Sequence, residues 1–231
     1  MPPAPGGRAE YTERTIEDLA WLGLTWSEGP VYQSRRRDVF VEAWRTLRDL
    51  GVIYPSTVSR REARDAAHAP HDDEEGAEPL FPVALRAPAG AGRDAESPAG
   101  ATWRFRVPDG EVVRFTDARR GPQAFTAGVD FGDFVVWRRD DVPAYQLAVV
   151  VDDEQMRITE VVRGADLLKS TARQMLLQRA LGYATPAYFH CDLVTDGRGE
   201  RLAKRHESLS LRALRAAGLT PAEVRALGSM K

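Results

Sequence analysis

Apolar residues recur at helical spacing in two places near the start of the chain. Ile16, Leu19 and Ala20 predict a helix over residues 11–23, which Gly23, Leu24, Thr25 and Trp26 then end. Phe40, Ala43, Trp44, Leu47 and Leu50 make one stripe, predicting a helix over 36–50 with Gly51 as its stop. Residues 54–64 read as a short loop entering a helix. Residues 65–101 are rich in Ala, Gly, Pro, Asp and Glu around an apolar island at 80–85, and most of the stretch reads as mobile loop.

From Thr102 the period shortens to two. Trp103, Phe105 and Val107 alternate, Asp109 and Gly110 are strong turn formers, and Val112, Val113 and Phe115 resume, which predicts a β-hairpin. Phe134–Trp137 is a further short strand, and these β segments read as an insertion of antiparallel character. The run 147–151 is ambiguous: its β-branched residues suit a strand, whereas the family that the chain resembles places it at a helix start. Residues 158–163 predict a buried strand closed by Gly164, and 158–162, apolar on both faces, reads as the central strand. Residues 170–181 predict an amphipathic helix. Two short helices finish the chain, one opening on Thr220, Pro221, Ala222 and Glu223, a capping box with proline at the first helical position. Strands alternating with helices point to an α/β fold.

Length and composition narrow the class. A chain of 231 residues, 43% hydrophobic and 29% charged, is large enough for one real core, with or without an insertion. A formal net charge of −2 announces no nucleic-acid binder, so any RNA contact needs a local basic face. One cysteine, Cys191, excludes an internal disulfide framework and fits a reducing compartment. No apolar run approaches the roughly 18 residues that span a bilayer, and the N-terminus lacks the apolar core of a secretory signal. These features predict a cytoplasmic protein without a membrane partner.

Most clusters of reactive side chains have a plain reading. Asp152 and Asp153 diverge if helical, so one Mg²⁺ does not suit both, and they read as a cap and a solvated carboxylate. His68, His71 and the acidic run after them read as a hydrophilic loop. Cys191 beside His190 reads as a buried structural thiol. Arg35, Arg36, Arg37, Arg60 and Arg61 read as solvated charge, with tRNA phosphate contact as the alternative.

The segments Tyr145–Asp153, Ile158–Leu168, Ser170–Leu177 and Arg201–Arg205, in that order, resemble the second half of a class I glutamyl-tRNA synthetase catalytic domain. They resemble in particular its short, tRNA-modifying form, glutamyl-queuosine tRNA(Asp) synthetase. The resemblance covers nearly the whole chain. It implies an α/β, Rossmann-type class I catalytic domain, truncated at its N-terminus, with an inserted α+β acceptor-binding subdomain. The implied division is 1–53 for a remnant of the first half of the core, 54–142 for the insertion with a degenerate zinc-knuckle region and a mobile loop, and 143–231 for the second half with the signature loop.

The resemblance also implies roles. Arg201, Leu202, Ala203, Lys204 and Arg205 match the mobile signature loop of the class, with Lys204 at the position whose ammonium stabilises charge growing on the ATP phosphates. Arg201 and Arg205 flank it as ATP contacts, and Mg²⁺ accompanies the ATP. Tyr145 and Arg163 match the residues that contact L-glutamate, and a bidentate guanidinium suits a carboxylate. Where relatives carry zinc ligands this chain has Ser56, Val58, Phe81 and Leu85, so no zinc is expected. The implied activity is ATP-dependent activation of glutamate and its transfer to queuosine in tRNA(Asp), by a monomer in the full-length family form.

The histidines at 68, 71, 190 and 206 include no His-x-Gly-His motif, so activity of the chain as given is expected to be impaired. A non-catalytic relative that binds tRNA or a partner is the alternative reading. A fragment of an ordinary glutamyl-tRNA synthetase is a further one, though the short stretch after Arg205 is expected to leave no room for a helical anticodon-binding domain.

Overall fold

The computed structural model describes residues 9–58, 62, 80–193 and 210–229. The chain divides into two compact units, Met1–Arg35 with Asp192–Lys231, and Arg36–Cys191.

In the first unit, helix α1 spans Ala9–Trp21, and Leu24 N–H bonds back to the Leu19 carbonyl at 3.0 Å, the closing turn expected at Gly23. The second unit opens with α2, Arg37–Asp49, which buries Phe40, Val41, Ala43, Trp44 and Leu47. Gly51, at φ 71°, takes the left-handed conformation that lets Val52 N–H reach the Leu47 carbonyl at 3.2 Å. Leu50, expected on the same stripe, is instead exposed.

Strand β1, Ile53–Ser56, replaces the expected loop. It is an edge strand, the place where Pro55 costs no ladder bond. Strands β2 (Thr102–Phe105), β5 (Phe134–Arg138) and β6 (Val142–Pro143) complete an antiparallel sheet in the order β1-β2-β5-β6. Between β2 and β5 come β3, Val112–Asp117, and β4, Gly121–Thr126. The hairpin expected at Asp109–Gly110 is not one. A turn closed by Glu111 N–H on the Pro108 carbonyl (3.0 Å) carries the chain from the first sheet into the second. The partners of β2 are β1 and β5, because Trp103 meets Trp137 and Phe105 stacks on Phe134 at 5.2 Å. The hairpin is β3–β4, turned by Ala118, Arg119 and Arg120.

Residues 86–101, expected to be loose, are pinned to this core. The Trp103 indole donates to the Pro98 carbonyl at 3.1 Å, and a Cβ on Gly92 would sit 2.6 Å from the Trp103 ring. Gly92 has the composition of a loop because it lies under the Trp103 ring, where no side chain fits.

Helix α3, Tyr145–Gln155, settles the ambiguous run as helical. It buries Leu147, Ala148, Val150, Val151 and Asp152, and this packing overrides the strand preference of its valines. Strand β7 is Glu160–Gly164, α4 is Leu168–Leu181 and β8 is Ala187–Cys191, a β-α-β unit with β7 and β8 parallel. The second sheet runs β4-β3-β8-β7, with β3 also parallel to β8, so the inserted strands are not purely antiparallel. The expected central strand, β7, is an edge strand, and its Val162 is 62% exposed. Helices α5, Leu211–Ala216, and α6, Pro221–Ser229, belong to the first unit. The capping box forms, Thr220 N–H donating to Glu223 Oε2 at 2.7 Å. Among the described residues, no helix is long and apolar enough to cross a membrane.

Candidate active site

Parallel strands present their carboxyl ends as the place where an open α/β sheet receives a ligand. Here those ends carry Asp117 as the last residue of β3, His190 as the fourth of β8 and Arg163 as the fourth of β7, with Arg163 and His190 paired in register. Alternation along β8 turns Tyr188 and His190 to the same side, and both are buried.

The Arg163 guanidinium is fixed from three directions. Its Nε donates to His190 Nε2 at 3.1 Å, its Nη2 donates to Thr171 Oγ1 at 2.7 Å, and its plane lies 5.4 Å from the Tyr188 ring centroid. No carboxylate among the described residues forms an ion pair with it. Two of its five N–H donors therefore go to neutral acceptors, which orient the cation without neutralising it.

Behind Arg163, His190 Nδ1 meets Asp117 Oδ2 at 2.6 Å, and both side chains are fully buried. Burial alone would raise the Asp117 carboxyl. The bond to His190 and the backbone N–H groups of Arg120, Arg119 and His190 outweigh it and hold the group down to about 2.

Tyr145 starts α3 and is half-exposed. Its neighbour Gln146 donates to Ser170 Oγ at 3.1 Å and accepts from Gln174 at 3.0 Å. Ser170 and Thr171 are consecutive in the first turn of α4, so Gln146, next to Tyr145, and Arg163 bond adjacent residues of one helix. Arg201, Lys204 and Arg205 lie outside the described residues, as do the His68–His71 run, Arg60 and Arg61.

Several plain readings change. Asp152 is not a side-chain cap but an ion-pair partner of Arg36 at 2.9 Å, and Arg37 forms a bidentate pair with Asp141, both bonds 2.9 Å. The arginine run is thus partly structural, not simply solvated. Asp153 is half-buried rather than solvated. Burial pushes its carboxyl above the ordinary range, against the pull of the nearby Arg163 charge. Cys191 is half-buried, not fully so.

The four positions aligned with zinc ligands do not suit a metal. Phe81 packs with Tyr54 in a small apolar cluster edged by Val58, Leu85, Ala87 and Ala91, and the Arg104 guanidinium lies 4.1 Å from the Phe81 ring centroid. Ser56 Oγ accepts from Val58 N–H at 3.3 Å. One hydroxyl among three hydrocarbon side chains offers no thiolate or imidazole donor set.

The sequence did not lead to Asp117, Thr171, Tyr188 or His190. Period-two alternation in β8 could have paired Tyr188 with His190. Nothing local could have linked Asp117, 73 positions before His190, to Arg163.

A family model for "tRNA synthetases class I (E and Q), catalytic domain" matches residues 7–227. A glutamyl-Q tRNA(Asp) synthetase of Nitratidesulfovibrio vulgaris is 44% identical over 230 residues, covering 94% of this chain and 69% of that protein. A protein of the same name from Symbiobacterium thermophilum is 45% identical over 228 residues, again covering 94% and 69%. Among solved structures, a glutamate tRNA ligase from Elizabethkingia meningosepticum in complex with its amino acid is similar, with a TM-score of 0.68 and 25% identity. That match covers 85% of this chain and 42% of the ligase. With the matching segments running through the Arg163 strand and its crossover helix, this chain belongs to the class I glutamyl-tRNA synthetase family, in its glutamyl-queuosine tRNA(Asp) synthetase group.

Proposed function

We propose that this chain works in the ATP-dependent activation of glutamate and the transfer of the glutamyl group to queuosine in tRNA(Asp). In the first step a glutamate carboxylate oxygen attacks the α-phosphorus of ATP and pyrophosphate leaves. In the second, the queuosine base receives the glutamyl group and AMP leaves. The observation that carries the reading is the Arg163 guanidinium, held at the carboxyl end of a parallel strand by neutral acceptors and an aromatic face. A cation oriented in this way suits a carboxylate ligand, and glutamate has two carboxylates. Tyr145, at the start of α3, is the second glutamate contact.

Lys204 stabilises the negative charge that grows on the phosphates, with Arg201 and Arg205 as further ATP contacts and Mg²⁺ entering with the ATP. Zinc has no part. The protein acts in the cytoplasm, as a monomer, with tRNA(Asp) as its acceptor.

The test is transfer of labelled glutamate to tRNA(Asp), measured with and without ATP and with queuosine-free tRNA(Asp) as reference. Labelling that needs both ATP and queuosine is expected, at a low rate for residues 1–231. Equal labelling of queuosine-free tRNA points to an ordinary glutamyl-tRNA synthetase. Binding of tRNA without any transfer points to a non-catalytic relative.

A further inference from the structure

We propose that Asp117 and His190 form a positioning pair for the glutamate site: Asp117 sets the tautomer of His190, and that tautomer aims Arg163. The inference rests on the reading of Arg163 as a glutamate contact, and adds to it residues that touch no substrate.

An arginine Nε–H can only donate, so His190 Nε2, 3.1 Å away, must accept. The ring proton therefore sits on Nδ1, where Asp117 Oδ2 accepts it at 2.6 Å. Thr171 Oγ1, 3.3 Å from the same Nε2, accepts from Arg163 Nη2, so both acceptors face one edge of the guanidinium. That leaves the other edge for a ligand.

The orientation of Asp117 is itself fixed. Its Oδ1 accepts from the N–H groups of Arg119 at 3.0 Å, Arg120 at 2.8 Å and His190 at 3.3 Å. Three donors converge there, so only an oxygen fits. The β3–β4 turn and the β3–β8 pairing thereby lock the carboxylate, and only Oδ2 faces the imidazole. The pair lies behind Arg163, fully buried, where it serves the guanidinium and not the substrate.

This geometry makes Asp117→Asn an informative variant. The three backbone donors hold the amide oxygen at the Oδ1 position, which puts the NH₂ group against His190 Nδ1. The imidazole must then accept at Nδ1 and carry its proton on Nε2, so a donor faces the Arg163 Nε–H donor. Shape is conserved, but the bond that orients Arg163 is lost. Glutamate affinity is expected to fall roughly 10–100-fold, the range for losing an orienting partner behind a ligand, with ATP affinity unchanged.

Three measurements on residues 1–231 test this. Nitrogen-15 NMR of the imidazoles should show His190 protonated on Nδ1 in the native protein and on Nε2 in Asp117→Asn. Glutamate titration should show the loss in Asp117→Asn, and no additional loss when that change is added to Arg163→Ala. A native His190 protonated on Nε2 overturns the proposal, and this result needs no variant to fold. So does an Asp117→Asn protein that binds glutamate normally while Arg163→Ala does not, or one whose loss persists undiminished in the Arg163→Ala background. If Arg163→Ala itself binds glutamate normally, the underlying site reading fails instead.

Discussion

Two regions of the larger unit hold partly buried arginines near aromatic rings, and they use them in opposite ways. Beside Tyr54 and Phe81, Arg86 is matched by carboxylates. Arg86 bonds Asp133 at 2.8 and 2.7 Å, Asp133 also accepts from Tyr54 at 2.6 Å and from Val107 N–H at 2.9 Å, and apolar side chains fill the remainder. At the carboxyl edge of β7 and β8 the carboxylate, Asp117, is spent on His190 and backbone donors, and Arg163 receives only neutral acceptors. The first arrangement stabilises a fold. The second holds a cation ready, because an ion-paired guanidinium would have to give up its partner before binding a ligand.

The comparison can be broken most forcefully on the structural side. Phe81→Ala should cost about 3–5 kcal/mol of stability, the usual loss for emptying a buried aromatic site, and should lower the melting temperature with glutamate binding unchanged in the folded fraction. An equal loss of glutamate affinity would show that the two regions are not separate in role.

Acid should act on the other region. The Asp117 carboxyl lies at about 2 in the folded protein against an ordinary 3.8, so its contribution is complete above pH 3.8 and is lost as pH falls toward 2. The difference corresponds to about 2 kcal/mol. Chemical denaturation between pH 5 and pH 2 should show the decline in the native chain and a flatter profile in Asp117→Asn. Identical profiles would remove Asp117 from the account.

The smallest expected effect is that of a chelator. Ser56, Val58, Phe81 and Leu85 offer no metal site, so EDTA should leave the melting temperature where it was. A clear drop, with zinc recovered in the filtrate, would mean that other residues hold a metal.

What the sequence made legible was what repeats locally. The stripe Phe40, Ala43, Trp44 and Leu47 gave α2 and its stop at Gly51, and Thr220 with Glu223 gave the capping box. Pairing between strands was less accessible. Asp109–Gly110 has the composition of a hairpin turn, but Trp103 and Phe105 find better cross-strand partners in Trp137 and Phe134, so the turn connects two sheets. The apolar run 158–162 read as central, although sheet order depends on contacts far along the chain. At the candidate site, Tyr145 and Arg163 were reached through resemblance. Asp117 and His190 became meaningful only once β3, β8 and β7 lay side by side.

The central claim is that Arg163 is held open for a glutamate carboxylate, and it is tested most directly by titrating native and Arg163→Ala chains with L-glutamate. The account predicts saturable binding by the native chain and a loss of about 2–5 kcal/mol in the variant, as for removal of one partner of a buried charge pair, with circular dichroism unchanged. Equal glutamate affinity in the two proteins would contradict it.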